Sequence, residues 1–351
     1  MKEQYTFDDL ELRQFPTERE KLLQSCPSQE IQTSFIKHYY KIASYEYGGK
    51  TEREFDRIMV SVSGGSDSDI VIDMMERIGH DTETEVRYVF FDTGMEFQAT
   101  KKHLDSLEEK YGIKIDRIKA KTPVPIACKD FGQPFLSKQI SEYISRLQKH
   151  GFLFEDKPFD ELYKQYPKCK AALRWWCNEW GENSRLNIAR RKFLKEFMVL
   201  NPPTFLISAK CCDKAKKETA HEYEKSFNPD LNVIGVRKGE GGERSTAIHS
   251  CFDQKDFGTS VLRPVFWFSE KDKRLYEDAF DVRHSDCYEV YGLKRTGCAC
   301  CPFGKNFEKE LAIAEKYERG LYLAANHVFK DAYEYTRAYF EFRDRMKSEL
   351  G

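Results

Sequence analysis

Two stretches of this chain carry residue types spaced for chemistry. The first is SGGSDSD, residues 63–69. Glycines let a backbone turn tightly and bring its N–H groups close to a ligand. A helix opening just after them adds about half a positive charge at the same place. Ser63, Gly64, Gly65, Ser66, Asp67 and Ser68 therefore read as a cradle for phosphate, with Asp67 or Asp69 suited to hold Mg2+ on the phosphates. The plainer reading is a strand-to-helix turn capped by serine or aspartate. The second stretch is split between Cys211-Cys212 and Cys298-Ala299-Cys300-Cys301. Read as Cys-Cys followed by Cys-x-x-Cys, Cys211, Cys212, Cys298 and Cys301 offer four thiolates to zinc or an iron–sulfur cluster. Adjacent cysteines strain on a single zinc but can reach two irons of a cubane, which favours [4Fe–4S]. Cys300 is an alternate ligand. Lys210, Lys214, Lys216 and Lys217 would offset the charge of a thiolate-bound cluster. The plainer readings are a structural zinc or buried free thiols.

The elements that must position these residues follow an alternating pattern. RIMVSV (57–62) reads as a buried strand, SDIVIDMMERIG as a helix ending at Gly79, and EVRYVFFDTG (85–94) as a second strand. A helix over 99–112 with a glycine stop and a third strand over 114–120 continue the rhythm. TFLISAK (204–210) and LNVIGVRK (231–238) are candidate later strands. Strand–helix–strand alternation argues for an α/β fold with a parallel sheet and helices on its faces. Residues 1–50 have the apolar spacing of short helices and end at Gly48-Gly49. Residues 138–200 are aromatic, helix-leaning and basic, with 13 Lys/Arg against 8 Asp/Glu, and read as a helical insertion or lid. Residues 261–351 read as a C-terminal helical region broken by the cysteine loop. The expected domains are thus 1–50, 51–260 with the insertion, and 261–351.

The bulk numbers narrow the setting. The 351 residues carry 57 basic and 58 acidic side chains, so net charge does not point to nucleic acid or membrane. No apolar run approaches the roughly 20 residues a membrane helix needs. The first residues, MKEQYTFDDLELRQF, lack an apolar signal core, so the expectation is a cytoplasmic protein without membrane association. Eleven cysteines are many for a reducing compartment. Cys26, Cys128, Cys169, Cys251 and Cys287 are isolated and read as packing residues.

The glycine loop matches neither G-x-x-x-x-G-K-[ST] nor G-x-G-x-x-G. It resembles the SGGxDS loop of the PP-loop ATP pyrophosphatase superfamily. The next strand ends FFDTGMEFQAT, which is similar to the D-T-G-x-x-F-x-x-T segment of the phosphoadenosine phosphosulfate (PAPS) reductase family. GQPFLSKQIS (132–141) resembles a G-x-P-x-x-S-K element of that family, and IGVRKGEGGERS (234–245) its G-x-R-x-x-E-x-x-x-R element. The resemblance spans about residues 55–305. It implies a Rossmann-like, adenine nucleotide alpha-hydrolase-like doubly wound sheet. Asp92, Thr93 and Gly94 would then lie beside the adenosine part of the nucleotide. Lys138 would be a phosphate or sulfate ligand, and Arg237 and Arg244 would clamp phosphate oxygens. For those arginines the plainer reading is a salt bridge with Glu240 or Glu243. Many ATP-using relatives carry lysine where this sequence has Ser66. The cysteine set looks like that of cluster-containing adenylyl sulfate reductases, and Cys177, in LRWWCNEW, matches an R-W-C element of some relatives as a second alternate ligand.

The resemblance implies two chemistries. In one, ATP with Mg2+ is split between its α- and β-phosphates and the adenylated acceptor is attacked by sulfur. That requires a sulfur donor such as a cysteine desulfurase. In the other, adenylyl sulfate (APS) or PAPS is reduced to sulfite. Thioredoxin-dependent reductases carry a catalytic cysteine on a C-terminal tail, and no cysteine follows Cys301 here. The expectation is therefore the ATP pyrophosphatase, with Asp67, Lys138, Arg237 and Arg244 as its catalytic residues. A third reading is a non-catalytic nucleotide-binding component of a larger complex. The basic, Trp-rich insertion, with Trp175, Trp176 and Trp180, raises a nucleic-acid acceptor. Its plainer reading is that these rings pack the helices.

Overall fold

The computed structural model describes residues 17–43, 45–47, 50–52, 54–80, 83–240, 248–256, 258–304 and 306–350. Helices α1 (Thr17–Gln24) and α2 (Gln29–Ile42) precede a hairpin of β1 (Tyr45–Tyr47) and β2 (Lys50–Glu52). The alternating part follows: β3 (Arg57–Val62), α3 (Ser66–Ile78), β4 (Glu85–Asp92), α4 (Gln98–Tyr111) and β5 (Ile115–Lys119). Then come α5 (Val124–Phe131), α6 (Lys138–Lys149), α7 (Phe159–Gln165), α8 (Lys170–Trp176) and α9 (Leu194–Leu200). A short helix α10 (Lys210–Cys212) runs through a π-helical turn (Asp213–Glu218) into α11 (Thr219–Phe227). The chain closes with β6 (Leu231–Ile234), β7 (Phe252–Asp253), β8 (Ser260–Leu262), α12 (Glu270–Phe280), α13 (Asp286–Glu289), α14 (Phe307–Tyr317), α15 (Arg319–Val328) and α16 (Lys330–Leu350).

The fold is α/β, of the Rossmann type. Its six-stranded sheet has the order β5-β4-β3-β6-β8-β7. The pairs β3–β4, β3–β6 and β6–β8 are parallel, and the edge strand β7 runs antiparallel to β8. Ile58, Met59, Val60 and Val62 of β3 are all buried, as a central parallel strand covered on both faces requires. From β3 the chain moves outward to β4 and β5, then returns to β6 on the other side. The end of β3 is therefore the switch point of the sheet, where open α/β sheets bind ligands. The glycine loop leaves the sheet there.

Two compact units emerge, with boundaries other than the expected ones. The first holds the described residues up to Phe91, with Gln98–Ile118 and His221–Thr296; the second holds Asp92–Phe97, Lys119–Ala220 and the described residues from Gly297 onward. In the first, α2 buries Ile31, Phe35, Tyr39 and Ile42, at helical spacing, in the core shared with β3 and α3. In the second, Phe135, Ile144, Trp176, Leu194 and Phe197 build a separate core that also takes Tyr339 and Phe342 of α16. The strand expected over 204–210 is not formed. Ile207 makes one isolated bridge, to Gln133, because Pro202 and Pro203 precede it and helix begins at Lys210.

The strand expected over 231–238 stops at Ile234 for a steric reason. A Cβ on Gly235 would come within 2.8 Å of Asp67 C and Ser68 N, both backbone atoms. That contact presses the exit of β6 onto the first turn of α3. Gly235→Ala is expected to cost about 1–3 kcal/mol, as overpacking against atoms that cannot yield does. Urea unfolding of the variant measures it; an unchanged midpoint would show that the two backbones are free to separate.

Candidate functional site

The glycine loop is three residues long, between β3 and α3. Gly64 has φ +65°, and a Cβ there would lie 2.4 Å from Thr100 Cγ2, so this turn takes only glycine. Gly65 is the N-cap of α3 and supplies no capping side chain. The first-turn amides of a thirteen-residue helix thus face the loop without the usual serine or aspartate cap. Ser63 is exposed and Gly65 half-buried, whereas Ser66, Asp67 and Ser68 are buried. Ser68 Oγ accepts from the Ser63 N–H at 3.1 Å, and the Tyr288 hydroxyl accepts from the Ser66 N–H at 3.3 Å.

Charged groups gather on this turn. Asp67 Oδ1 accepts from Arg237 Nε at 2.8 Å and lies 3.2 Å from Lys273 Nζ. Lys273 also donates to Ser66 Oγ, and Arg237 Nη2 donates to Glu270 at 2.9 Å. The third guanidinium nitrogen, Arg237 Nη1, is buried and has no hydrogen-bond partner among the described residues. Deeper in, the fully buried Asp69 meets His284 Nδ1 at 2.8 Å and His103 Nε2 at 3.0 Å, and His284 Nε2 meets Glu277 at 2.8 Å. Burial alone would raise the Asp69 carboxyl, but hydrogen bonds from His103 and His284 outweigh it and hold its pKa below the usual value. Burial likewise lowers His284, yet its bonds to Asp69 and Glu277 lift the imidazolium to about 9.

The cysteines belong to the second unit, which also holds the turn after β4. Thr93 Oγ1 lies 3.5 Å from Cys298 Sγ, and the Ala299 N–H donates to Met95 O at 2.6 Å. Glu96 accepts from the N–H groups of Thr93, Gly94 and Met95, and Asp92 Oδ1 from Gly94 N–H. Four thiols influence one another. A hydrogen bond to Cys211, then burial, pushes Cys212 up; burial and the charges of Cys298, Cys211 and Cys212 push Cys301 up. Cys298 is raised chiefly by burial, with Lys216 opposing it. Lys138 also opposes the shift of Cys212, and its Nζ lies 3.4 Å from Asp213.

Whether these residues fit a metal group can be tested on the donors. Four neighbouring sulfurs with Lys138 and Lys216 beside them suit thiolate ligation. Among the described residues, however, no three His, Cys, Asp or Glu side chains converge as the donor set of a single metal ion. The thiols thus offer the donor chemistry of a thiolate-bound metal group, and the described residues do not form a preformed site for one. Neither alternate joins it. Burial and the charges of Glu310 and Glu318 raise Cys300 to about 12, and its N–H donates to Glu310. Cys177 feels Lys195, Glu179 and Asp156, and its thiol faces Lys157 O.

Comparison with known proteins agrees with the loop. Residues 57–173 match the model of the phosphoadenosine phosphosulfate reductase domain. The chain is similar to that domain over this part, about a third of its length. It is 38% identical over 250 residues to an uncharacterized protein of Methanocaldococcus jannaschii, a match covering 70% of this chain and 36% of that protein. The chain thus spans about a third of that relative's length. Two solved structures are similar at low identity. The PAPS reductase of Candida auris, in a phosphate complex, is 12% identical with a TM-score of 0.39, over 81% of this chain and 96% of that one. The U34-tRNA thiolase NcsA of Methanococcus maripaludis, with its [4Fe–4S] cluster, is 11% identical with a TM-score of 0.37, over 95% of this chain and 85% of that one.

The structure places the expected site residues in both units. Ser63 to Ser68 and Arg237 meet in the first unit. Asp92, Thr93, Gly94 and Lys138 lie with Cys211, Cys212, Cys298 and Cys301 in the second. Thr93, expected on adenosine, is fully buried and engaged by Glu96 and Cys298. Arg244 lies outside the described residues. Asp67, expected to hold Mg2+ or act catalytically, anchors two cations through one oxygen. Three residues carried no usable signal in the sequence. Lys273 sits in an ordinary charged helix, His284 in a turn, and Cys128 alone. Cys128 does more than pack: its hydrogen bond to Cys211 is the largest influence on that thiol, which is pushed up to about 12.

The histidine pair predicts a pH dependence. A group raised from 6.5 to about 9 by its partners contributes stability that is whole below about pH 6.5 and is lost as pH rises through about 9. The Tm gap between wild type and His284→Gln should be widest near pH 6 and close towards pH 9.5. A gap that stays constant across that range would show that the charged imidazole does not stabilise the fold.

Proposed function

We propose that this protein binds an adenine nucleotide at the loop 63–68 and cleaves ATP between its α- and β-phosphates, coupling AMP transfer to sulfur transfer. The observation that carries the reading is Arg237 Nη1, a buried cationic donor without a partner among the described residues, beside the N-terminus of α3, whose N-cap is a glycine. An anion with several oxygens satisfies both at once. Lys273, hydrogen-bonded to Ser66, supplies a second cation.

The chain's own residues then act on charge and position. Backbone amides of the loop and the Arg237 and Lys273 cations hold the pyrophosphate portion, and stabilise the charge it takes up as the bond to the α-phosphorus breaks. An acceptor oxygen forms the new bond to the α-phosphorus, pyrophosphate leaves, and a sulfur nucleophile afterwards displaces AMP from the activated carbon. Cys211, Cys212, Cys298 and Cys301 are the residues that would hold an iron–sulfur cluster. When bound, such a cluster supplies an iron site able to carry sulfide. Lys138 and Lys216 offset the negative charge of those thiolates. A cysteine desulfurase is the class of donor that suits such a site, together with a two-electron reductant that brings its persulfide sulfur to sulfide. A cytoplasmic location suits this chemistry; among the described residues no helix is long and apolar enough to cross a membrane.

One assay tests the reading. Anaerobically purified protein is given MgATP, adenylyl sulfate or PAPS, the last two with thioredoxin. Pyrophosphate from ATP is the expected product, falling at least tenfold in Arg237→Lys, which keeps the charge but loses the planar fork. Sulfite with ATP intact would replace this reading by a sulfonucleotide reductase, and nucleotide binding without turnover by a binding component. The cysteine assignment has its own measurement. Cys212→Ser and Cys301→Ser should lose most bound iron while Cys26→Ser keeps it; equal iron in all three would overturn it.

A further inference from the structure

The second unit holds a cavity of about 480 Å³ between the turn at residues 190–192, helix α16 and the end of the cysteine loop. Its charged lining is Arg190, Arg191, Lys192, Arg343 and Lys347, with no carboxylate among them. Arg190, Arg191, Lys192 and Lys347 are exposed and Arg343 is half-buried. Tyr339 and Phe340 line the same space, and Pro302 and Gly304, just past Cys301, close one side. The Tyr339 hydroxyl donates to Lys192 O at 2.9 Å and ties α16 to the 190–192 turn. The nearest counter-charge is Asp344, which pairs with Arg343 and Lys347 at 2.9 and 3.1 Å. Arg190 Nε and Nη2 donate to the carbonyls of Ser184 and Asn183, which fixes the guanidinium without neutralising it. Among the described residues Arg191 and Lys192 have no carboxylate partner.

We infer that this cavity binds the phosphodiester backbone of a single-stranded nucleic acid and delivers it to the cysteine loop. A small buried phosphate would call for buried cations converging on a point. Here the cations are mostly exposed and strung out, with Arg343 and Lys347 one helical turn apart on α16 and three more in a row opposite. That is the form of a groove following a chain of charges. Of the two rings in the lining Tyr339 is buried and Phe340 is partly open, so the half-buried Phe340 is the ring that favours a nucleic acid over an acidic peptide. The tryptophans that raised a nucleic-acid acceptor do not serve this role, because Trp175 and Trp176 are buried in the core of the unit. The cations of the insertion serve it instead. The purpose of the site rests on the sulfur-transfer reading, whereas binding itself does not.

The test is fluorescence anisotropy with fluorescein-labelled 20-mers of single-stranded RNA and DNA, without ATP, over a salt series. Expected is salt-sensitive binding of at least one oligonucleotide. Arg191→Ala with Lys192→Ala should weaken it at least tenfold and reduce the log–log salt slope by about 1.4, from about 0.7 per lost phosphate contact. Arg343→Ala with Lys347→Ala should act alike. Thermal melts of both double variants establish that they fold, and their basal pyrophosphate release from MgATP without oligonucleotide, where water is the acceptor, should match wild type. Absence of oligonucleotide binding, wild-type affinity in both double variants, or equal affinity for polyglutamate of the same charge would overturn the inference. Loss of pyrophosphate release in the wild type would instead strike the proposed activity and leave this site standing.

Discussion

The arrangement around the glycine loop depends on one carboxylate oxygen. Asp67 Oδ1 receives Arg237, sent from the exit of β6, and Lys273, sent from α12. Without it, two cations would be forced together in a largely buried place, which costs more than either would gain from water there. With it, two separate elements, the exit of β6 and α12, are pinned to the first turn of α3. Gly235 permits that geometry by letting β6 leave the sheet against the Asp67 and Ser68 backbone. The Asp69–His284–Glu277 chain adds a second link between the same helices α3 and α12.

The cysteine end obeys an opposite electrostatic rule. Its thiols raise one another and are raised by burial, so as they stand they favour the protonated form. Taking a metal group would require those protons to leave, and the binding energy would have to cover the cost. Lys138 and Lys216 lower that cost by opposing the shifts of Cys212 and Cys298. Lys138 thus finds a physical use beside sulfur rather than beside the glycine loop. The buried Thr93–Glu96 turn, packed on Cys298, gives the D-T-G segment a structural part in the same arrangement.

How much of this was legible follows from what each residue's pattern could encode. The strand over 57–62 and the helix closing at Gly79 were readable because buried β-residues and a glycine stop announce themselves locally. Arg237 was readable through its motif. β7 and β8 were not, being two and three residues long with no periodicity to detect. Lys273 and His284 were hidden because their roles arise only when α12 and the following turn pack near α3, more than 200 residues away in sequence. Cys128 was hidden for the same reason, since nothing beside it in the chain hints at Cys211. The tryptophans misled in the other direction: large rings and basic neighbours suit either a core or a nucleic acid, and only burial separates the two.

The position of Lys273 also bears on how the site could take up phosphate. A lysine in the loop itself, as many ATP-using relatives carry, would offer its charge directly. Here the loop has Ser66, and the ammonium arrives from α12 already engaged by Ser66, Asp67 and, at 3.8 Å, Glu277. An incoming phosphate must therefore share this cation with carboxylates rather than capture a bare one. Arg237 differs, since two of its nitrogens are committed and Nη1 is not. On the proposed reading the two cations would divide the work: Arg237 Nη1 would meet the ligand, and Lys273 would change partner as negative charge builds up on the leaving oxygens. Carboxylates that compete with bound phosphate weaken ground-state binding, and a cation that shifts towards the developing charge acts most where the reaction needs it.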